Sequence, residues 1–216
     1  MEAIVIGATG ATGKDLVNQL LEDSDYEKVK LLVRRKVSWQ HSKLEVHVID
    51  FNFLSTWKDL VKADIAFSCI GTTLKNAQSK DAQKVIDLEY PLSFAKAAKE
   101  NGIRHFVLLS AYGANPKSFL FYSKIKGELE EEIRNLNFPQ TTIFRPGIIE
   151  RKNSDRLGEK WTVYLLHQLN KINLLKKYKP LPTHILAKAM KDAGKRNTTG
   201  CQIISLEEID KYQKPY

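Results

Sequence analysis

The chain is sparing with cysteine, methionine and long apolar runs. Two cysteines in 216 residues, Cys69 and Cys201, are too few for a disulfide framework and lack metal-ligand spacing. Both read as buried thiols. No apolar stretch approaches the roughly 20 residues a bilayer span needs, and no basic leader with an apolar core precedes the first β-rich run. No membrane partner is expected, and a cytoplasmic location is. Low-complexity tracts, internal repeats and a Pro/Gly/Ser linker are also missing, so the 216 residues, 43% of them hydrophobic, are expected to form one domain with a sizeable core.

What is present begins at the first residues. Ala3-Ile4-Val5-Ile6 runs into Gly7-Ala8-Thr9-Gly10-Ala11-Thr12-Gly13, and a helical pattern with Leu16, Val17, Leu20 and Leu21 follows. Glycines between a strand and a helix let the backbone turn sharply and let a pyrophosphate reach amide N–H groups at the helix N-terminus. The spacing is Gly-x-x-Gly-x-x-Gly, so its weight comes from the strand before it and the helix after it.

Apolar β-rich runs then recur at Val29–Val33, Glu45–Ile49, Ile65–Ile70, His105–Leu109 and Thr141–Phe144. Helical patterns fall between them at Lys14–Glu22, Ser55–Val61, Ser79–Glu100 and Phe119–Asn135. This alternation predicts an α/β fold, a doubly wound parallel sheet of Rossmann-like type. After Pro146 it breaks down: Trp161–Leu169 and Thr183–Ala193 read as helices, Cys201–Ser205 as a short strand. Lys152–Asp155 and Lys195–Gly200 read as polar loops. Residues 147–216 are therefore expected to form a small substrate-side appendage within the single domain.

The net charge of +9 invites a nucleic-acid reading, but the basic residues are spread along the chain among 25 carboxylates. The densest stretch, Lys171–Lys179, alternates with apolar residues as a solvated amphipathic face does. A specific nucleic-acid partner is not expected; a small-molecule substrate is, with the protein a monomer or homodimer.

Where NAD-binding folds end their second strand with an acid that accepts from the ribose 2′-hydroxyl, this chain has Arg34 and Arg35. Paired guanidiniums suit a 2′-phosphate, favouring NADP (NADPH) over NAD. Asp50 and Phe51, after the third strand, are placed to meet the adenine. Ser110 closes the fifth strand, and Tyr122 and Lys126 follow at i and i+4, on one helical face. A phenol with a pKa near 10 needs a nearby cation to act as an acid/base at neutral pH, and Lys126 supplies one. Tyr26 and Lys30 repeat the spacing, but at the entry to the second strand, away from any cleft.

These segments, with Cys69-Ile70-Gly71-Thr72-Thr73 and Phe144-Arg145-Pro146-Gly147, resemble the atypical or extended short-chain dehydrogenase/reductases, and more narrowly the Tat-interacting oxidoreductase-like branch. The resemblance covers about the first 150 residues. It implies that Gly7, Gly10 and Gly13 form the pyrophosphate loop and that Arg34 and Arg35 clamp the 2′-phosphate. Gly71, Thr72 and Thr73 belong to the loop passing the cofactor, and Arg145-Pro146-Gly147 turns the chain toward the substrate. It further implies that Ser110 positions a carbonyl, Tyr122 is the acid/base, and Lys126 binds the nicotinamide ribose. Ile70-Gly71-Thr72 replaces the family's Asn-Ala-Gly, and Asn76 is the candidate for its fourth catalytic residue. The expected function is an NADP-dependent oxidoreductase of a small carbonyl, or an epimerase- or isomerase-like relative. The alternative is an NADP(H)-binding regulatory or redox-sensing protein with little turnover.

Overall fold

A computed structural model describes residues 1–150 and 180–209. The expected helix Trp161–Leu169 and the stretches Lys152–Asp155 and Lys171–Lys179 lie outside these residues.

Strands β1 (Glu2–Ile6), β2 (Lys28–Val33), β3 (Leu44–Val48), β4 (Ile65–Ser68), β5 (His105–Leu109), β6 (Gln140–Arg145) and β9 (Gly200–Ser205) form one sheet. Their order is β3-β2-β1-β4-β5-β6-β9, and every pairing is parallel. A separate two-stranded ladder pairs β7 (Ile149–Glu150) with β8 (Leu181–Pro182). Parallel strands covered on both faces must be apolar on both. In β1, Ala3 and Val5 enter one core while Ile4 and Ile6 enter the other.

Helix α1 (Ala11–Glu22) joins the first core through Leu16, Val17 and Leu20. Helices α2 (Leu74–Ala77) and α3 (Lys80–Lys84) are short, and α4 (Tyr90–Glu100) and α5 (Phe121–Asn135) are longer. Both longer helices enter the second core, through Phe94 and Ala98 of α4 and Leu129 and Ile133 of α5. Helix α6 (Thr183–Gly194) puts Leu186, Ala187 and Met190 into the first core, and α7 (Leu206–Ile209) follows β9. Part of the 147–216 segment therefore extends the main sheet: it supplies the seventh strand and the helix packed with α1.

Several expected elements differ in detail. Ser55–Val61 is not an α-helix but two 3₁₀ turns, Leu54–Thr56 and Lys58–Leu60. Trp57, fully buried between them, fixes the break. The long helix expected over Ser79–Glu100 is interrupted by a π-helical turn, Val85–Glu89. The fourth strand stops at Ser68 rather than Ile70, where the chain meets the glycine loop. Cys69 is buried as expected, its thiol pushed up to about 12 by burial. Cys201 is exposed, because β9 is an edge strand whose side chains are largely uncovered.

Candidate functional site

The chain leaves β1 for neighbours on either side, β2 and β4, making the topological switch point where such sheets bind ligands. Gly7 sits there with φ +76°, and a Cβ on it would lie 2.4 Å from the Cys69 carbonyl carbon. On Gly13 a Cβ would lie 2.2 Å from the Gly7 oxygen, so a side chain at either position would displace backbone. Gly10 opens α1 with no side-chain cap, and no acid occupies the first turn. The helix's first N–H groups and its positive dipole end thus remain available to an anion.

Two cavities share this loop. One, about 460 Å³, is lined by Gly7, Ala8, Thr9, Gly10, Arg34, Arg35, Phe51, Gly71 and Thr72. Arg34 and Arg35 are exposed, and no carboxylate among the described residues holds either. Phe51 stacks on Tyr90 with centroids 5.2 Å apart. Asp50 lines neither cavity: its Oδ1 accepts from the Asn52 backbone N–H and side-chain amide, both at 2.9 Å, stabilising the turn after β3.

The second cavity, about 650 Å³, brings Gly10, Ala11 and Thr12 together with Gly71, Thr72, Thr73, Ser110, Tyr122 and Lys126. Asn76 lines both cavities. Thr73 also caps α2, its hydroxyl accepting from the Asn76 N–H at 3.3 Å. The cradle and the paired cavities fit an extended dinucleotide, with the pyrophosphate against α1 and a half in each cavity.

Residues from distant segments are held at the second cavity by two buried carboxylates absent from the sequence motifs. Lys126, 1% exposed, pairs through Nζ with Asp87 Oδ1 at 3.1 Å. Asp87 is fully buried and also accepts from the Thr72 N–H at 3.2 Å, tying α5 to the loop after β4. It projects from the π-helical turn, a feature that re-aims side chains and occurs often at functional sites. Lys126 Nζ lies 5.9 Å from the centroid of the half-exposed Tyr122 ring.

Ser110 is buried and donates its hydroxyl proton to Glu130 Oε1 at 2.5 Å. Arg145 donates to both oxygens of the same carboxylate, with Nη2 2.5 Å from Oε2. That pairing keeps Glu130 an acceptor, so Ser110 offers lone pairs rather than a proton to the cavity. The repeated pair is elsewhere: Tyr26 is fully buried and donates to the Lys191 carbonyl at 3.0 Å, while Lys30 pairs with Glu2 at 2.7 Å.

Residues 7–162 match the family described as NAD(P)H-binding. The chain belongs to that family. It is 35% identical over 161 residues to rat Protein HTATIP2, covering 72% of this chain and 66% of that protein. It is 37% identical over 165 residues to Candida albicans Protein FMP52, mitochondrial, covering 73% and 72% respectively. The fungal name gives the cytoplasmic expectation no support. Among the described residues, no helix is long and apolar enough to cross a membrane.

The fold is also that of solved short-chain dehydrogenase-like structures. UDP-glucose 4-epimerase of Thermotoga maritima superposes with a TM-score of 0.71 at 13% identity, over 94% of this chain and 76% of that one. A short chain dehydrogenase family protein from Francisella tularensis gives 0.68 at 16%, over 97% and 98%. This NAD(P)-binding member thus has an oxidoreductase-like Rossmann fold with seven parallel strands.

Proposed function

We propose that the protein is an NADP-dependent reductase of a small carbonyl compound. The observation that carries the reading is Tyr122 at the wall of a cavity that also reaches the glycine loop, with Lys126 one helical turn away. In this reading the N–H groups at the start of α1 bind the pyrophosphate, Arg34 and Arg35 hold the 2′-phosphate, and Lys126 donates to the nicotinamide ribose. A reduced nicotinamide cofactor held by these residues would supply a hydride equivalent for carbonyl reduction. Tyr122 orients the substrate oxygen and gives it the proton, leaving an alcohol, and is reprotonated from solvent through its exposed side. Ser110, its own proton held by Glu130, accepts from the hydroxyl of the alcohol formed.

Replacing Tyr122 by Phe keeps the ring and removes the donor. The expected result is a kcat about 10²–10⁴-fold lower on any carbonyl turned over, with NADPH affinity nearly unchanged. Tyr26→Phe, at the repeated motif, keeps wild-type activity. A Tyr122→Phe enzyme with wild-type kcat, or one that loses activity only together with cofactor affinity, refutes the assignment.

A cofactor-sensing role is the second reading, and one observation favours it. The Ser110 hydroxyl and the Lys126 ammonium are both engaged by buried carboxylates, an arrangement that stabilises a binding cleft without any turnover. Tight NADPH binding with no single-turnover oxidation across a carbonyl panel would select it.

A further inference from the structure

The cavity beside Tyr122 carries a chemical bias that proton donation does not use. Its 650 Å³ lies within the range of roughly 300–1,000 Å³ typical of small-molecule sites, and its wall includes Leu74, Leu109, Phe121 and Ile149. Apolar exposure concentrates around it. Among the described residues nine large hydrophobic side chains are exposed. Four of them line this cavity or directly adjoin its lining in the chain, Leu74, Leu120, Tyr122 and Ile148, and Phe119 stands one residue before Leu120. Phe119 is fully exposed although it leads straight into the helix that forms the wall. Large exposed apolar patches mark binding sites more often than scattered single residues do.

The charge at the cavity is as one-sided. Among the described residues that line it there is no carboxylate, and the cations are Lys126 and Lys80. Asp87 neutralises Lys126, whereas Lys80 has no carboxylate partner among the described residues. Its ammonium instead stands 5.6 Å from the centroid of the Phe121 ring, at an apolar wall.

We propose that this site takes an amphipathic substrate, an apolar carbonyl compound bearing one carboxylate. The chain lies along Leu74, Phe121 and Ile149, and the carboxylate meets Lys80. The carbonyl rests on the reductase reading; the apolar chain and the anion do not.

Calorimetric titration of the full chain, with and without NADP⁺, by octanoate, decanoate, octanol and acetate tests this without requiring turnover. Octanoate binds more tightly than octanol, and decanoate more tightly than octanoate by about tenfold, since each buried methylene adds roughly three- to fourfold. Acetate does not bind measurably. Lys80→Gln lowers octanoate affinity by up to about fivefold, the upper end for an exposed ion pair, and Lys80→Glu lowers it further, while octanol affinity is unchanged in both. Equal affinities for octanoate and octanol, no effect of Lys80→Glu, no gain with chain length, or no binding at all each overturn the proposal. Failure of carbonyl reduction leaves these affinities as expected, and failure of these affinities leaves the Tyr122→Phe outcome standing.

Discussion

Replacing Asp87 by Asn removes one charge from a pair in which Lys126 is 1% exposed and Asp87 fully buried. The amide retains an oxygen for the Thr72 N–H, so the loop after β4 keeps that bond while the Lys126 ammonium loses its counter-ion. A buried charge left unpaired costs about 3–5 kcal/mol. In a domain of this size that is a melting temperature lower by about 6–20 °C. The second arm is the double variant Asp87→Leu with Lys126→Met. An apolar pair of similar volume often equals or exceeds a buried ion pair in stability, so this protein recovers most of the lost melting temperature. It binds NADPH more weakly, since the ammonium assigned to the ribose is gone. Urea denaturation gives the energies and fluorescence titration the affinities. An Asp87→Asn protein within 1 kcal/mol of wild type would refute the view that the pair is desolvated and holds the site. So would a double variant no more stable than Asp87→Asn.

The Arg34 and Arg35 pair predicts that NADPH binds about ten- to a hundredfold more tightly than NADH, the worth of a charge-assisted hydrogen bond. Calorimetry on Arg34→Ala with Arg35→Ala should abolish the preference; its survival would sink the assignment. His105 is held neutral by burial, its pKa down to about 4 from an ordinary 6.5. The unfolded chain therefore binds the extra proton first, and stability falls as pH drops from about 6.5 toward 4, by up to about 3 kcal/mol. Thermal melts across that range should show His105→Gln to be flatter than wild type, and parallel curves would refute the cause. Any DNA or RNA binding should be weak and fall steeply with salt; sequence-selective retention at physiological salt would contradict the reading of a dispersed basic surface.

The sheet was legible because period and punctuation agree: apolar runs ending at Gly7, Arg34 and Ser110 are strands, and the helical patterns at 14–22 and 119–135 become helices. Legibility failed where tertiary packing overrode local pattern. The stretch 55–61 looked helical, but burying Trp57 forces two short turns instead. The end of the chain lacked a clean alternation because much of it, residues 151–179, intervenes between β7 and β8 without a strand pattern, hiding that β9 pairs in register with β6.

For the site, glycines and the Tyr122/Lys126 spacing were readable because backbone conformation and helical period act locally. Asp87 and Glu130 were not, because nothing near either residue in the chain marks its partner. Asp87 meets a lysine 39 residues on, and Glu130 meets a serine 20 residues back and an arginine 15 on. A faint signal existed in composition: an acid at 130 between Leu129 and Ile133 on the apolar face of α5 calls for a buried partner. The polarity of the site follows from these two carboxylates rather than from the motif. Each takes up a donor that the motif alone would assign to cofactor or substrate, and the proposed reductase reading therefore assigns proton donation to Tyr122. On that reading the Tyr122→Phe variant is expected to lose reduction while keeping cofactor binding, because the phenol's proton and not its ring is what the reaction uses.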